Sequence, residues 1–141
     1  MNNASTPPDA TRALGEILRV LWRSLPRYLE YARPWIAADD EPLRTALGRL
    51  VADQRLFARR VADAISHRGG QPAPGPFPLE FTGLSDVSLR YLAEQIRQRM
   101  PCDIEVITRA AASLDADPEA RDLAQEVLGN LRGHFEVLRK T

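Results

Sequence analysis

The residues able to do chemistry are few and far apart. His134 falls on the apolar face of the last predicted helix, within the run Leu123, Val127, Leu131, His134, Phe135 and Leu138. An imidazole there could be a lone metal or haem ligand. More often, a histidine on such a stripe is a core residue with its ring nitrogens hydrogen-bonded. Gln54 lies on the apolar face of the second predicted helix and is a candidate partner for His134 or for a buried water. Glu16, Glu30, Glu94, Glu105 and Glu126 are scattered over the helices. Some could turn inward, but a solvated face is the commoner place for them. Cys102 follows Pro101 and could be a reactive thiol or, as is commoner, a small buried hydrophobe. Arg55, Arg59, Arg60 and Arg68 could grip phosphates. No basic tail or interleaved aromatics accompany them, which favours salt bridges on a wet helix face.

The elements that must position these residues belong to one domain, since 141 residues suit a single core. Charge balances, with 19 basic and 19 acidic residues. That argues against a general polyanion binder, and no nucleic acid partner is expected. One cysteine excludes an intrachain disulfide. No apolar run approaches the ~18 residues of a membrane span, and residues 1–9 lack the charged-then-apolar pattern of a secretory signal. A cytoplasmic setting is expected.

Residues 1–8 are polar and unpatterned, and predict a disordered tail before a bundle over 9–141. Asp9 can cap the first helix, predicted over 10–37, with apolar residues at Leu14, Leu18, Leu21, Leu25, Tyr28, Leu29, Ala32, Trp35 and Ile36. Pro26 predicts a kink in it. Trp22 and Trp35 sit at the edges of the stripe, as core or as part of a subunit interface. Asp39-Asp40-Glu41-Pro42 reads as an acidic cap and first-turn proline for a second helix over 40–68. Its apolar face is Leu43, Leu47, Leu50, Gln54, Phe57, Val61, Ala64 and Ile65, and Gly69-Gly70 ends it. Ser85-Asp86 caps a third helix, 85–114, with Leu89, Leu92, Ile96, Met100, Ile104, Ile107, Ala111 and Leu114 on one face and a second kink at Pro101. Asp117-Pro118-Glu119 opens a fourth, 117–139.

Between the second and third helices lies a proline-rich strap, residues 69–84. A helix over 40–68 rises about 43 Å, and a strap of about 16 extended residues reaches about 53 Å. It is long enough to return the chain along the bundle, so that the next helix runs parallel to the last. Its prolines stiffen it, and Phe77, Leu79, Phe81 and Leu84 can pin it. The expected fold is all-α: a four-helix bundle with short first and last connections and one long crossover.

On these features the chain resembles the ferritin-like superfamily, meaning bacterioferritins, Dps-type miniferritins and their relatives. The local likeness is Arg60-Val61-Ala62-Asp63-Ala64-Ile65-Ser66-His67-Arg68-Gly69-Gly70-Gln71-Pro72, similar to the end of the family's second helix and the entry to its crossover. The resemblance implies a di-iron centre held by a Glu from each of two helices and a Glu-x-x-His from each of the other two. Carried over by position, those ligands would fall at Leu21, at Gln54 and Phe57, near Gln98 to Met100, and at Leu131 and His134. No carboxylate stands at any of them, and Glu-x-x-His occurs nowhere in the chain.

The expected protein is therefore a non-catalytic ferritin-like bundle without a di-iron centre or other cofactor. It would work as a dimeric structural or interaction protein. His134 and Gln54 would mark the vestigial site. The resemblance also implies a two-fold homodimer through the first two helices, where Trp22, Tyr31, Trp35 and Ile36 exceed the needs of one stripe. The alternative is a metal-binding relative, for iron storage or di-iron oxidation, whose ligands are non-standard: His134 with displaced carboxylates.

Overall fold

The computed structural model describes residues 8–24, 26, 40–73, 75 and 88–141. Among them are four helices and no strand: α1 (Pro8–Arg23), α2 (Glu41–His67), α3 (Leu89–Ala112) and α4 (Pro118–Lys140). Each follows from an apolar residue every third or fourth position. On α1 the buried face is Ala10, Ala13, Leu14, Ile17, Leu18 and Leu21. On α2 it includes Leu47, Leu50, Phe57, Val61 and Ile65; on α3, Leu92, Ile96, Met100 and Ile107; on α4, Val127, Leu128, Leu131 and Leu138. These faces meet in one apolar core. None of the helices is long and apolar enough to cross a membrane.

The ends differ from expectation in four places. First, α1 begins at Pro8, so Asp9 is inside it. Second, α1 stops at Arg23, with Ser24 in a bend. Pro26, just beyond that bend, has no N–H for the carbonyl four residues back, and the rest of the expected helix, with its kink, lies outside the described residues. Third, Asp40 is the N-cap residue of α2, but its side chain makes no cap hydrogen bond; the carboxylate accepts from Arg90 instead. Fourth, Ser88 caps α3 by accepting from the Tyr91 N–H, three residues beyond the expected Ser85. Only at α4 does the cap fall as read, with Asp117 accepting from the Ala120 N–H and Pro118 following. Pro101 sits inside α3, which continues past it. The tail over 1–7, the stretch 27–39 with Tyr31, Trp35 and Ile36, and the strap's Phe77, Leu79, Phe81 and Leu84 lie outside the described residues.

Pairs of residues fix the helix directions. Arg68 at the end of α2 meets Asp117 at the start of α4, Arg60 meets Glu126, and Asp53 meets His134. So α2 and α4 are antiparallel. Arg97 of α3 donates to the Leu138 carbonyl late in α4, which makes that pair antiparallel too. Gly70, just past α2, lies against Thr11 at the start of α1, and Ser24 at its end bonds mid-helix Gln54. That is again antiparallel. Arg90 in the first turn of α3 meets Asp40 at the start of α2. Hence α2 and α3 run the same way, and the end of one lies at the opposite end of the bundle from the start of the other.

The described part of the strap follows this plan. Gly70 sits beside Thr11 and Gly75 beside Arg23. Twelve helical residues rise about 18 Å, and five extended ones cover about 17 Å. Residues 70–73 and 75 thus keep pace with α1 along the outside of the bundle.

Candidate functional site

The ligand positions implied by the resemblance are occupied by packed side chains. Leu21, Phe57, Met100 and Leu131 are all buried. Gln54 is buried as well, at 2% exposure, where its Oε1 accepts from the Ser24 hydroxyl at 3.0 Å. Gln98 and Arg99 face outward. Gln54 is therefore not the partner of His134. A buried side-chain amide needs a hydrogen bond, and the first helix supplies it.

His134 finds a different partner. Its Nε2 lies 2.7 Å from Asp53 Oδ2, in the groove between α2 and α4. The Asn130 side-chain amide donates to the same oxygen at 2.9 Å. Asn130 and His134 are four residues apart, so one face of α4 delivers both. These contacts hold the Asp53 carboxyl below its ordinary range, with the Asn130 hydrogen bond the largest cause, His134 adding to it, and burial opposing. An ionised carboxylate only accepts, so the imidazole Nε2 donates. The groove, of about 480 Å³, is lined by Pro42, Ala46, Arg49, Asp53, Asn130 and His134 among others. A carboxylate that orients an imidazole is half of a proton-transfer device. No cysteine lines the groove, so no thiol nucleophile completes it.

The donor set does not fit a di-iron cluster. Two adjacent divalent cations need several anionic ligands, because uncompensated buried charge is very costly. The core positions offer apolar side chains and one amide already bonded. Among the described residues, no three of His, Cys, Asp and Glu come together as a metal-binding group.

The other candidates settle individually. Cys102 is exposed, contrary to the expectation of a buried thiol. It falls two residues after buried Met100, which turns it to the opposite side of α3. Arg60 forms a bidentate pair with Glu126 at 2.7 and 3.0 Å, and its guanidinium stacks over Phe57. Arg68 grips Asp117 with two nitrogens. Glu16, Glu94, Glu105 and Glu126 are exposed. Glu30 lies outside the described residues. Trp22 is partly buried against the core. Sequence reasoning passed over Asp53 and Asn130. The i, i+4 spacing of Asn130 and His134 was the available signal, but Asp53 precedes the apolar stripe position at Gln54 and looks like a solvated residue.

Fold and site together define an all-α four-helix bundle carrying a polar triplet, Asp53, Asn130 and His134, in one of its grooves. No protein-family model, no curated protein and no solved structure matches the chain.

Proposed function

We propose that the protein is a ferritin-like bundle without a di-iron centre, working as a non-catalytic, dimeric structural or interaction protein of the cytoplasm. The observation that carries this reading is the filled centre. Where the family would set carboxylates and imidazoles, Leu21, Phe57, Met100 and Leu131 are buried, and Gln54 is bonded to Ser24. The helix directions support the ferritin-like part, with α2 and α3 parallel across one long crossover. Replacing buried ions by packed hydrophobes is often neutral or stabilising, so such a bundle folds without metal. The dimer would form along the first two helices, without nucleic acid. Leu56 on α2, half exposed, gives that face an apolar residue to cover.

Elemental analysis after expression in iron-supplemented medium, with an oxygen-dependent Fe(II) oxidation assay, tests the metal-free reading. No bound iron and oxidation at the blank rate are expected. About two iron atoms per chain would overturn it. Light scattering at micromolar concentration should give the mass of a dimer, and a monomer would remove that part.

A second reading, a metal-binding relative with non-standard ligands, draws on one observation: His134 does meet a carboxylate, Asp53. Two protein ligands fall short of the three or four that hold a transition metal, so the first reading is preferred. Metal content lost on His134→Ala would reverse that preference.

A further inference from the structure

The face between α1 and α3 takes no part in the polar triplet and meets the filled centre only at Ser24. It carries a cleft of about 380 Å³ lined by Glu16, Arg19, Arg23, Ser24, Arg99 and Asp103. Beside it, sharing Glu16 and Val106, a second cleft of about 480 Å³ is bordered by Arg12 and Arg109. Small-molecule sites are concavities of about this size, with a few polar groups fixing orientation. On α1 the spacing Arg12, Glu16, Arg19, Arg23 is a single helical stripe turned toward α3.

Within the first cleft, Arg23 Nε is buried and has no hydrogen-bond partner among the described residues. A buried donor without an acceptor is costly and calls for an explanation. Gly75 of the strap lies beside the same side chain, where a Cβ would stand 3.8 Å from its Cδ and Nη1. The strap therefore adds backbone to one side of Arg23. Asp103 is the second unusual group. Burial raises its carboxyl to about 6, and the Arg99 charge only partly offsets this. The cleft thus combines three guanidiniums, a buried donor and a carboxyl able to hold its own proton up to about pH 6.

We propose that this cleft binds the phosphate group of a small phosphorylated metabolite, with Arg19, Arg23 and Arg99 as its cationic ligands. A guanidinium fork matches phosphate oxygens bidentately, and with Asp103 neutral a dianion balances the excess of three arginines over Glu16. The neighbouring cleft holds the rest of the molecule. Asp103 binds as the neutral acid, donating its proton to a phosphate oxygen. As a carboxylate it repels the ligand. For an anion whose own charge is constant, binding therefore strengthens as pH falls. The groups facing Asp103 in the cleft are Glu16, Arg19 and Arg23 from α1 and Arg99 from α3.

Calorimetric titration of the full chain with inorganic phosphate, at ionic strength held constant with chloride, tests the site. Saturable binding at one site per chain is expected. Arg23→Gln should weaken it at least tenfold and Arg23→Lys by less. Arg44→Gln, which removes an exposed partner of Glu41 on α2, should leave it unchanged. Melting curves confirm that each variant is folded. Acetate should bind more weakly than phosphate. No saturable heat, equal weakening by Arg44→Gln, or acetate binding as tightly as phosphate would overturn the assignment. Sulfate, which keeps its charge between pH 5 and 8, isolates the role of Asp103. Its affinity should rise as pH falls through about 6, and Asp103→Asn should flatten that profile. A flat wild-type profile would overturn the role given to Asp103.

Discussion

Arg90 and Asp40 join the starts of two helices that are far apart in sequence and parallel in space. The guanidinium Nε donates to the buried carboxylate at 2.7 Å, with Asp40 at 2% side-chain exposure and Arg90 at 64%. This contact fixes α3 in the same direction as α2. Its arginine is wet, which screens the attraction, but removing it deprives a buried carboxylate of a donor. Arg90→Ala should lower stability by about 1 kcal/mol, read as a shift in the urea midpoint. An unchanged midpoint would mean that the contact only decorates the fold.

Asp103 gives the fold a pH dependence of its own. Its folded-state pKa, about 6, lies above the ordinary 3.8. The native state therefore binds more protons than the unfolded chain between those values, and stability falls as pH rises from about 4 to about 6. Above that window the charge of the half-buried carboxylate costs at most about 3 kcal/mol, reduced by solvent screening in the open cleft. Asp103→Asn should raise the melting temperature at pH 7.5 and change it little at pH 4. A variant less stable than wild type at pH 7.5 would contradict this.

Asp53 behaves in the opposite sense. Its pKa is lowered, first by Asn130 and then by His134. The stabilisation is complete above the ordinary carboxyl range and is lost as pH falls through the lower folded value. Asp53 is 38% exposed, so solvent screening limits the effect of Asn130→Ala to no more than about 1 kcal/mol at pH 7. That difference should vanish in melts below pH 3. A difference that persists at such pH would point to packing rather than to the hydrogen bond.

Three glycines should respond differently to alanine. At Gly70 a Cβ would stand 2.8 Å from Ile65 Cγ2 and 3.2 Å from Thr11 Cγ2. Ile65 is buried and β-branched, so it cannot swing away cheaply, and Gly70→Ala should cost about 1–3 kcal/mol. Gly69 has φ 80, a left-handed conformation that costs a side chain about 1 kcal/mol. Gly129 lies mid-helix on α4 with nothing within 4 Å of its Cβ position, and Gly129→Ala should stabilise by about 0.5–1 kcal/mol. Thermal melts of the three variants should rank in that order, and an equal response would refute the packing argument at Gly70.

The four helices and their directions were legible because each depends on many residues at once. A stripe from Leu43 to Ile65 survives one polar member, Gln54, and the length of the strap alone argues for parallel helices. What depended on a single residue was harder to read. Asp40 looked like a cap because acidic residues usually are, but a distant arginine competes for its carboxylate. Cys102 looked buried by composition, although its phase relative to Met100 put it outside. His134 had Gln54 as a candidate partner on the stripe, whereas its hydrogen bond goes to Asp53. Gln54 and Asp53 are adjacent on α2, and only the way the helices pack decides which of them faces α4 and which faces Ser24.

Asp117 ties together more than the turn in which it sits. One oxygen caps the first turn of α4, and both oxygens hold Arg68, whose Nη1 also reaches the Ala64 carbonyl near the end of α2. A single carboxylate therefore keeps two helix ends from fraying, although they belong to different hairpins of the chain. In hydrogen-exchange terms, the closing turn of α2 and the opening turn of α4 form one opening unit. Their amides should gain and lose protection together, as if the bundle had one hasp at that end rather than two loose tips.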